Sequence, residues 1–145
     1  MASLTANDAT FQPGFEEADT SVSGAICLFG YYGPVDRTRQ ALPSSPLDYL
    51  RPDAPPILVA HGEYDMLVPV EQARVLSERL RDASESPVVY AELPKGPHNF
   101  DLFHSIRFEI LIDGIEAFTA WVRSRAATSG PVDATSRAGD RRGVG

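Results

Sequence analysis

Three largely apolar runs, Val22 to Phe29 (continuous from Ala25), Ile57 to Ala60 and Val88 to Leu93, punctuate this chain. A run of this length without polar alternation suits a strand covered on both faces, the habit of parallel sheets. Between the second and third runs Pro69 opens a helix, at a first-turn position where its missing N–H costs nothing. Ala73, Leu76, Leu80 and Ala83 then recur at three and four residues, while Arg74, Glu78 and Arg81 fall off the stripe. After the third run Phe108, Leu111, Ile112, Ile115, Phe118, Thr119 and Val122 define a second, wider stripe ending near Arg125. Strand, helix, strand, helix predicts an α/β domain of about three parallel strands with flanking helices.

The remaining segments lack such periodicity. Residues 1–21 carry Asp8, Glu16, Glu17 and Asp19 around Pro13-Gly14, which is loop chemistry after at most a few helical residues at Met1 to Leu4. Residues 30–56 hold Pro34, Pro43, Pro46, Pro52, Pro55 and Pro56, half of the 12 prolines in the chain, so regular structure is interrupted repeatedly. One short helix is expected near Pro46 to Leu50. Excursions of this size are often functional, and often plain surface connections. Beyond Ala126 the chain is small, polar and aperiodic, so residues 1–125 read as the folded unit and 126–145 as a disordered tail.

Composition narrows the function classes. A formal net charge of −7 argues against a broad nucleic-acid-binding face, which needs clustered Lys and Arg, and is read as solubility alone. The single cysteine, Cys27, lies inside an apolar run and reads as a core residue rather than a disulfide partner or nucleophile. His61, His98 and His104 form no metal-binding motif, so no metal or other cofactor is expected. The opening residues lack a basic stretch followed by an apolar core, and no run reaches the length of a membrane span. The expected compartment is the cytoplasm.

Two motifs carry the chemistry. His61-Gly62-Glu63-Tyr64-Asp65, continuing to Val68-Pro69, closes the second apolar run, and Gly96-Pro97-His98-Asn99-Phe100 closes the third. Loops leaving the C-terminal edge of a parallel sheet are where α/β proteins place their ligands. Asp65 and His98, 33 residues apart, are separated by one helix and one strand, so their loops can be neighbours. A carboxylate bonded to one imidazole nitrogen holds the ring in a fixed tautomer and stabilises the imidazolium formed when it takes a proton. Taken singly, an Asp after a strand often caps a turn and a His beside Pro often caps a loop. Their order, acid and then histidine, matches the last two places in the α/β-hydrolase sequence of nucleophile, acid and base. No Ser or Cys of the chain sits in a G-x-S-x-G or G-x-C-x-G elbow. Ser44-Ser45 and Ser84 to Ser86 lie in loops, and none is a credible nucleophile. His61 is expected to orient the turn, and His104 to be a surface or capping residue. Tyr31-Tyr32 and Phe100 to Phe103 are candidates for an acyl pocket or for plain packing.

The segment from Ser45 to Pro56, followed by HGEYDMLVP and ELPKGPHNFDLF, resembles the C-terminal half of bacterial α/β-hydrolase esterases. The nearest types are hormone-sensitive-lipase-like and feruloyl-esterase-like carboxylesterases, and the match runs from about Leu4 to Val122. The resemblance implies a truncated α/β-hydrolase in which Asp65 is the triad acid and His98 the triad base. Residues Met1 to Asp8 resemble the helix after the nucleophile elbow, so the elbow serine and the H-G-G-G-type oxyanion loop would lie before Met1. Two functions follow from different classes. One is hydrolysis of small-molecule carboxylic esters through a Ser-Asp-His triad of which this chain keeps two members. The other is a non-catalytic fragment, pseudoenzyme or binding module. The resemblance also implies that the nucleophile strand would lie beside Val22 to Phe29, so marginal stability and self-association through that edge are expected.

Overall fold

Ile57-Leu58-Val59-Ala60 has no polar side chain to leave on a wet face, and it forms the middle of the sheet. The computed structural model describes residues 3–34 and 43–128. Three parallel strands, β1 (Ala25–Leu28), β2 (Ile57–Gly62) and β3 (Val88–Leu93), lie in that order. All six residues of β2 are buried. Helix α1 (Val70–Ala83) follows β2, and α2 (Ile106–Thr128) follows β3.

The alternation of β2 divides the core in two. Ile57 and Val59 pack with Ala73, Leu76 and Leu80 of α1 and with Leu4, Tyr32 and Ala54. Leu58 and Ala60 pack with Leu93, Phe100 and the α2 residues Leu111, Phe118 and Val122. The two helices therefore cover opposite faces. The expected stripes are largely the buried faces, except that Ser77 joins the buried side of α1 and Ile112 of α2 stays exposed.

Several boundaries differ from the sequence reading for local reasons. β1 is four residues long rather than eight. Upstream its ladder would meet Pro55 and Pro56, which have no N–H to donate, and downstream Phe29 leaves the extended region with φ of 39°. β2 runs on to Gly62, which pairs with Leu93. Ser105 starts α2 two residues early by accepting the Phe108 N–H at 3.2 Å, and the helix continues to Thr128. The remainder of the expected tail, 129–145, lies outside the described residues, as do Met1, Ala2 and 35–42 of the proline-rich excursion. Near the N-terminus the helical turn lies at Ala9–Phe11 and is of 3-10 type, capped by Asp8. A second 3-10 turn, Pro46–Tyr49, stands where the short helix was expected, and Ser45 caps it.

β1 and β3 are the sheet's edges. Ala25 and Phe29 donate their N–H groups to Pro56 O and Ala60 O on the β2 side. Alternation sends the main-chain groups of Ile26 and Leu28 outward, where no strand among the described residues pairs with them.

On the α1 face, Arg74 grips Glu92 of β3 with Nε–Oε2 and Nη2–Oε1 distances of 2.8 and 2.6 Å, and Tyr90 OH donates to Glu92 Oε2 at 2.6 Å. These donors hold the Glu92 carboxyl at about 2, below its ordinary 4.5. A depressed carboxylate stabilises the fold above its unfolded pKa and loses that contribution as it is protonated in the native state. Thermal stability is therefore expected to fall as pH drops from 4.5 toward 2, and Glu92→Gln to flatten that limb in pH-dependent melts. An identical acid limb in both proteins would contradict this.

Candidate active site

Asp65 and His98 meet at the C-terminal edge of the sheet because two loops are zipped together by their main chains. Glu63 N–H donates to Leu93 O at 3.0 Å and Tyr64 N–H to Gly96 O at 2.9 Å. Lys95 N–H returns a bond to Glu63 Oε2 at 2.8 Å. The contact needs glycine at position 62: a Cβ there would overlap Gly96 O and come within 2.8 Å of Pro97 O.

Within that frame the Asp65 carboxylate is fully engaged. Oδ1 accepts the Leu67 and Val68 N–H groups at 2.9 and 2.8 Å, and Oδ2 lies 2.7 Å from His98 Nδ1. Burial pushes the Asp65 carboxyl up, but the Val68 N–H, His98 and the Leu67 N–H outweigh it and hold the group below its ordinary range. Oδ2 can only accept, so Nδ1 carries the proton and the neutral His98 ring keeps its Nε2 lone pair available. The His98 side chain is 21% exposed, whereas that of Asp65 is fully covered. Phe29, turned out of β1 by its positive φ, sets its ring edge-on to His98 with centroids 5.0 Å apart, and Phe100 stacks edge-on to Phe29 at 5.2 Å. A buried acid, an oriented imidazole and one accessible ring nitrogen can relay a proton to and from a reacting oxygen.

His61 does more than orient the turn. Its ring is fully buried, with Nε2 3.0 Å from Val68 O and 3.2 Å from Asp65 Oδ2. The sequence reading missed this carboxylate contact, although the four-residue spacing from Asp65 was there to signal it. The main-chain donors of Leu67 and Val68, and the Phe29 ring, were also missed, because each depends on how a loop turns.

The other candidates stand apart from this pair. His104 is exposed and pairs with Glu109 at 2.8 Å. Cys27 is partly buried, and burial pushes its thiol up, the opposite of an activated nucleophile. Ser45 Oγ donates to Tyr32 O at 2.8 Å and accepts from Leu47 N–H, while Ser84 Oγ accepts from Ser86 N–H. Tyr32 and Phe100 are core residues, whereas Tyr31 and Phe103 are exposed. Among the described residues no three His, Cys, Asp or Glu side chains are arranged to hold a metal ion, and no helix is long and apolar enough to cross a membrane.

Known proteins resemble this chain in sequence and fold. The BD-FAE family model matches residues 6–80. The chain is 42% identical to a probable carboxylic ester hydrolase, LipM, of Mycobacterium tuberculosis, over 84% of this chain and 34% of the relative. Esterase LipQ of the same organism is 35% identical over 86% of this chain and 35% of its own length. The chain thus spans about a third of the curated relatives it matches. Among solved structures, butyrate-bound esterase 2 of Thermogutta terrifontis superposes with a TM-score of 0.61 at 17% identity, over 76% of this chain and 48% of that one. The parallel sheet with α1 and α2 on opposite faces has the α/β-hydrolase fold of these esterases. With a family match over just more than half its residues, the chain belongs to the BD-FAE family.

Proposed function

We propose that this chain supplies the acid and base of a serine-dependent carboxylic ester hydrolase. The observation that carries the reading is the 2.7 Å bond from His98 Nδ1 to an Asp65 carboxylate whose other oxygen is held by two backbone amides. The esterase names of its relatives support the same chemistry. The serine comes from outside these 145 residues, since no elbow motif occurs within them. His98 Nε2 takes the serine proton as the serine oxygen bonds to the ester carbonyl carbon. The same nitrogen protonates the departing alcohol, leaving an acyl-serine, and then activates water to release the acid. Asp65 keeps the ring in the required tautomer and faces the imidazolium with its charge. On this reading the substrate is a small-molecule ester, and the 145-residue chain alone is inactive.

Joined to a segment bearing the elbow serine and oxyanion loop, the chain is expected to hydrolyse short-chain p-nitrophenyl esters and to take up a fluorophosphonate probe at that serine. The purified chain by itself is expected to remain unlabelled. Stoichiometric labelling of the isolated chain would place a nucleophile within it and overturn the division of roles. A joined protein that folds but neither labels nor turns over would favour a non-catalytic binding module.

The outer edge of β1, which no strand among the described residues pairs, supports a second proposal, that the isolated chain self-associates through Ile26 and Leu28. Size-exclusion chromatography should show concentration-dependent oligomers. A monomer at every concentration would end this idea.

A further inference from the structure

We propose that His61 is a positioning residue for the Asp65–His98 pair, its Nε2–H bonded to Val68 O and lying beside the carboxylate oxygen that faces His98. Any catalytic consequence rests on the ester-hydrolase reading, but the geometry stands without it. Both neighbours of Nε2, Val68 O at 3.0 Å and Asp65 Oδ2 at 3.2 Å, can only accept, so this nitrogen carries the proton. Val68 in turn donates its N–H to Asp65 Oδ1 at 2.8 Å. His61 therefore holds the Val68 peptide whose own N–H holds Asp65. The Leu67 and Val68 amides fix Oδ1, His98 bonds Oδ2, and the His61 ring closes off the space beside Oδ2 at 3.2 Å.

The other ring nitrogen of His61 sharpens the inference. Nδ1 is buried and has no hydrogen-bond partner among the described residues, in surroundings that include the Tyr32 ring with centroids 6.5 Å apart. An unsatisfied buried polar atom is a cost that an apolar side chain of similar size would avoid. Residue 61 lies on the α1 side of β2, in line with Ile57 and Val59, where packing alone calls for an aliphatic side chain. The N–H on the opposite side of the ring is what a leucine or valine could not supply.

Imidazole NMR on the intact 145-residue chain tests this without requiring turnover. The expected wild-type spectrum shows His61 as the Nε2–H tautomer and a low-field His98 Nδ1–H, which His98→Ala removes and so identifies. His61→Leu should lose the protected His98 Nδ1–H signal while the chain stays folded. His61→Gln, whose amide N–H reaches the position of Nε2, should restore it. Asp65→Asn should move the His61 Nε2–H signal, because the carboxylate 3.2 Å from that nitrogen loses its charge. An unchanged His98 signal in folded His61→Leu would overturn the proposal. So would an Nδ1–H tautomer at His61, or a His61 signal indifferent to Asp65→Asn, and these two readouts decide the matter if His61→Leu does not fold. A joined enzyme that fails in the ester assay while these signals behave as expected would count against the hydrolase reading alone.

Discussion

Asp65→Asn, placed in a protein that also carries the nucleophile segment, is expected to lower kcat for p-nitrophenyl esters by about 10⁴-fold with KM little changed. The size follows from where the amide must point. The Leu67 and Val68 N–H groups both donate to Oδ1, so the asparagine carbonyl is held there and its NH₂ replaces Oδ2. A donor then faces His98 Nδ1. The neutral ring answers by moving its proton to Nε2, the nitrogen that must accept one from the serine. The loss is chemical rather than steric, because aspartate and asparagine have nearly the same shape. His98→Ala removes the base itself and is expected to cost at least as much. A variant of either kind that keeps its rate within about tenfold of the parent would remove the pair from the mechanism.

The second large effect is structural. Gly62→Ala is expected to destabilise the domain by more than the ~1–3 kcal/mol usual for an added core methyl. The new Cβ would lie 2.7 Å from Gly96 C as well as overlapping Gly96 O, and these are backbone atoms that cannot rotate away. Relief requires the β2 and β3 loops to part, which breaks the Glu63–Leu93 and Tyr64–Gly96 bonds and draws His98 away from Asp65. Against a net stability of roughly 5–15 kcal/mol for a domain, this is a large fraction. Gly114→Ala is the matched control. Nothing lies within 4 Å of its Cβ on α2, so a gain of about 0.5–1 kcal/mol is expected there. Denaturant midpoints measure both, and equal midpoints for Gly62→Ala and the parent would refute the close approach.

The legibility of each element tracks how locally it is determined. β3 lies at Val88–Leu93 as its apolar run indicated, and α1 begins after Pro69 because a proline and an apolar stripe act within one turn. β1 was over-extended, since its length depends on what β2 can offer across the ladder, and Pro55-Pro56 offers no N–H. Ser77 shows the same limit on α1: a small hydroxyl breaks the apolar stripe in the sequence, yet it lies fully buried on the packed face.

The motifs around Asp65 and His98 were readable as residue types at strand ends. Sequence by itself determined the α/β class, the parallel strands and the chain order of acid and base, because these follow from periodicity and from motifs a few residues long. Only the tertiary structure decided which Asp65 oxygen faces His98, that Leu67 and Val68 hold the other, and that His61 reaches the same carboxylate from the α1 side of β2. Hydrogen bonds of about 3 Å depend on the dihedrals of two loops and on the close approach of Gly62 to Gly96. The Asp65–His98 and Glu63–Lys95 contacts join residues more than 30 positions apart, and no local pattern along the chain encodes them.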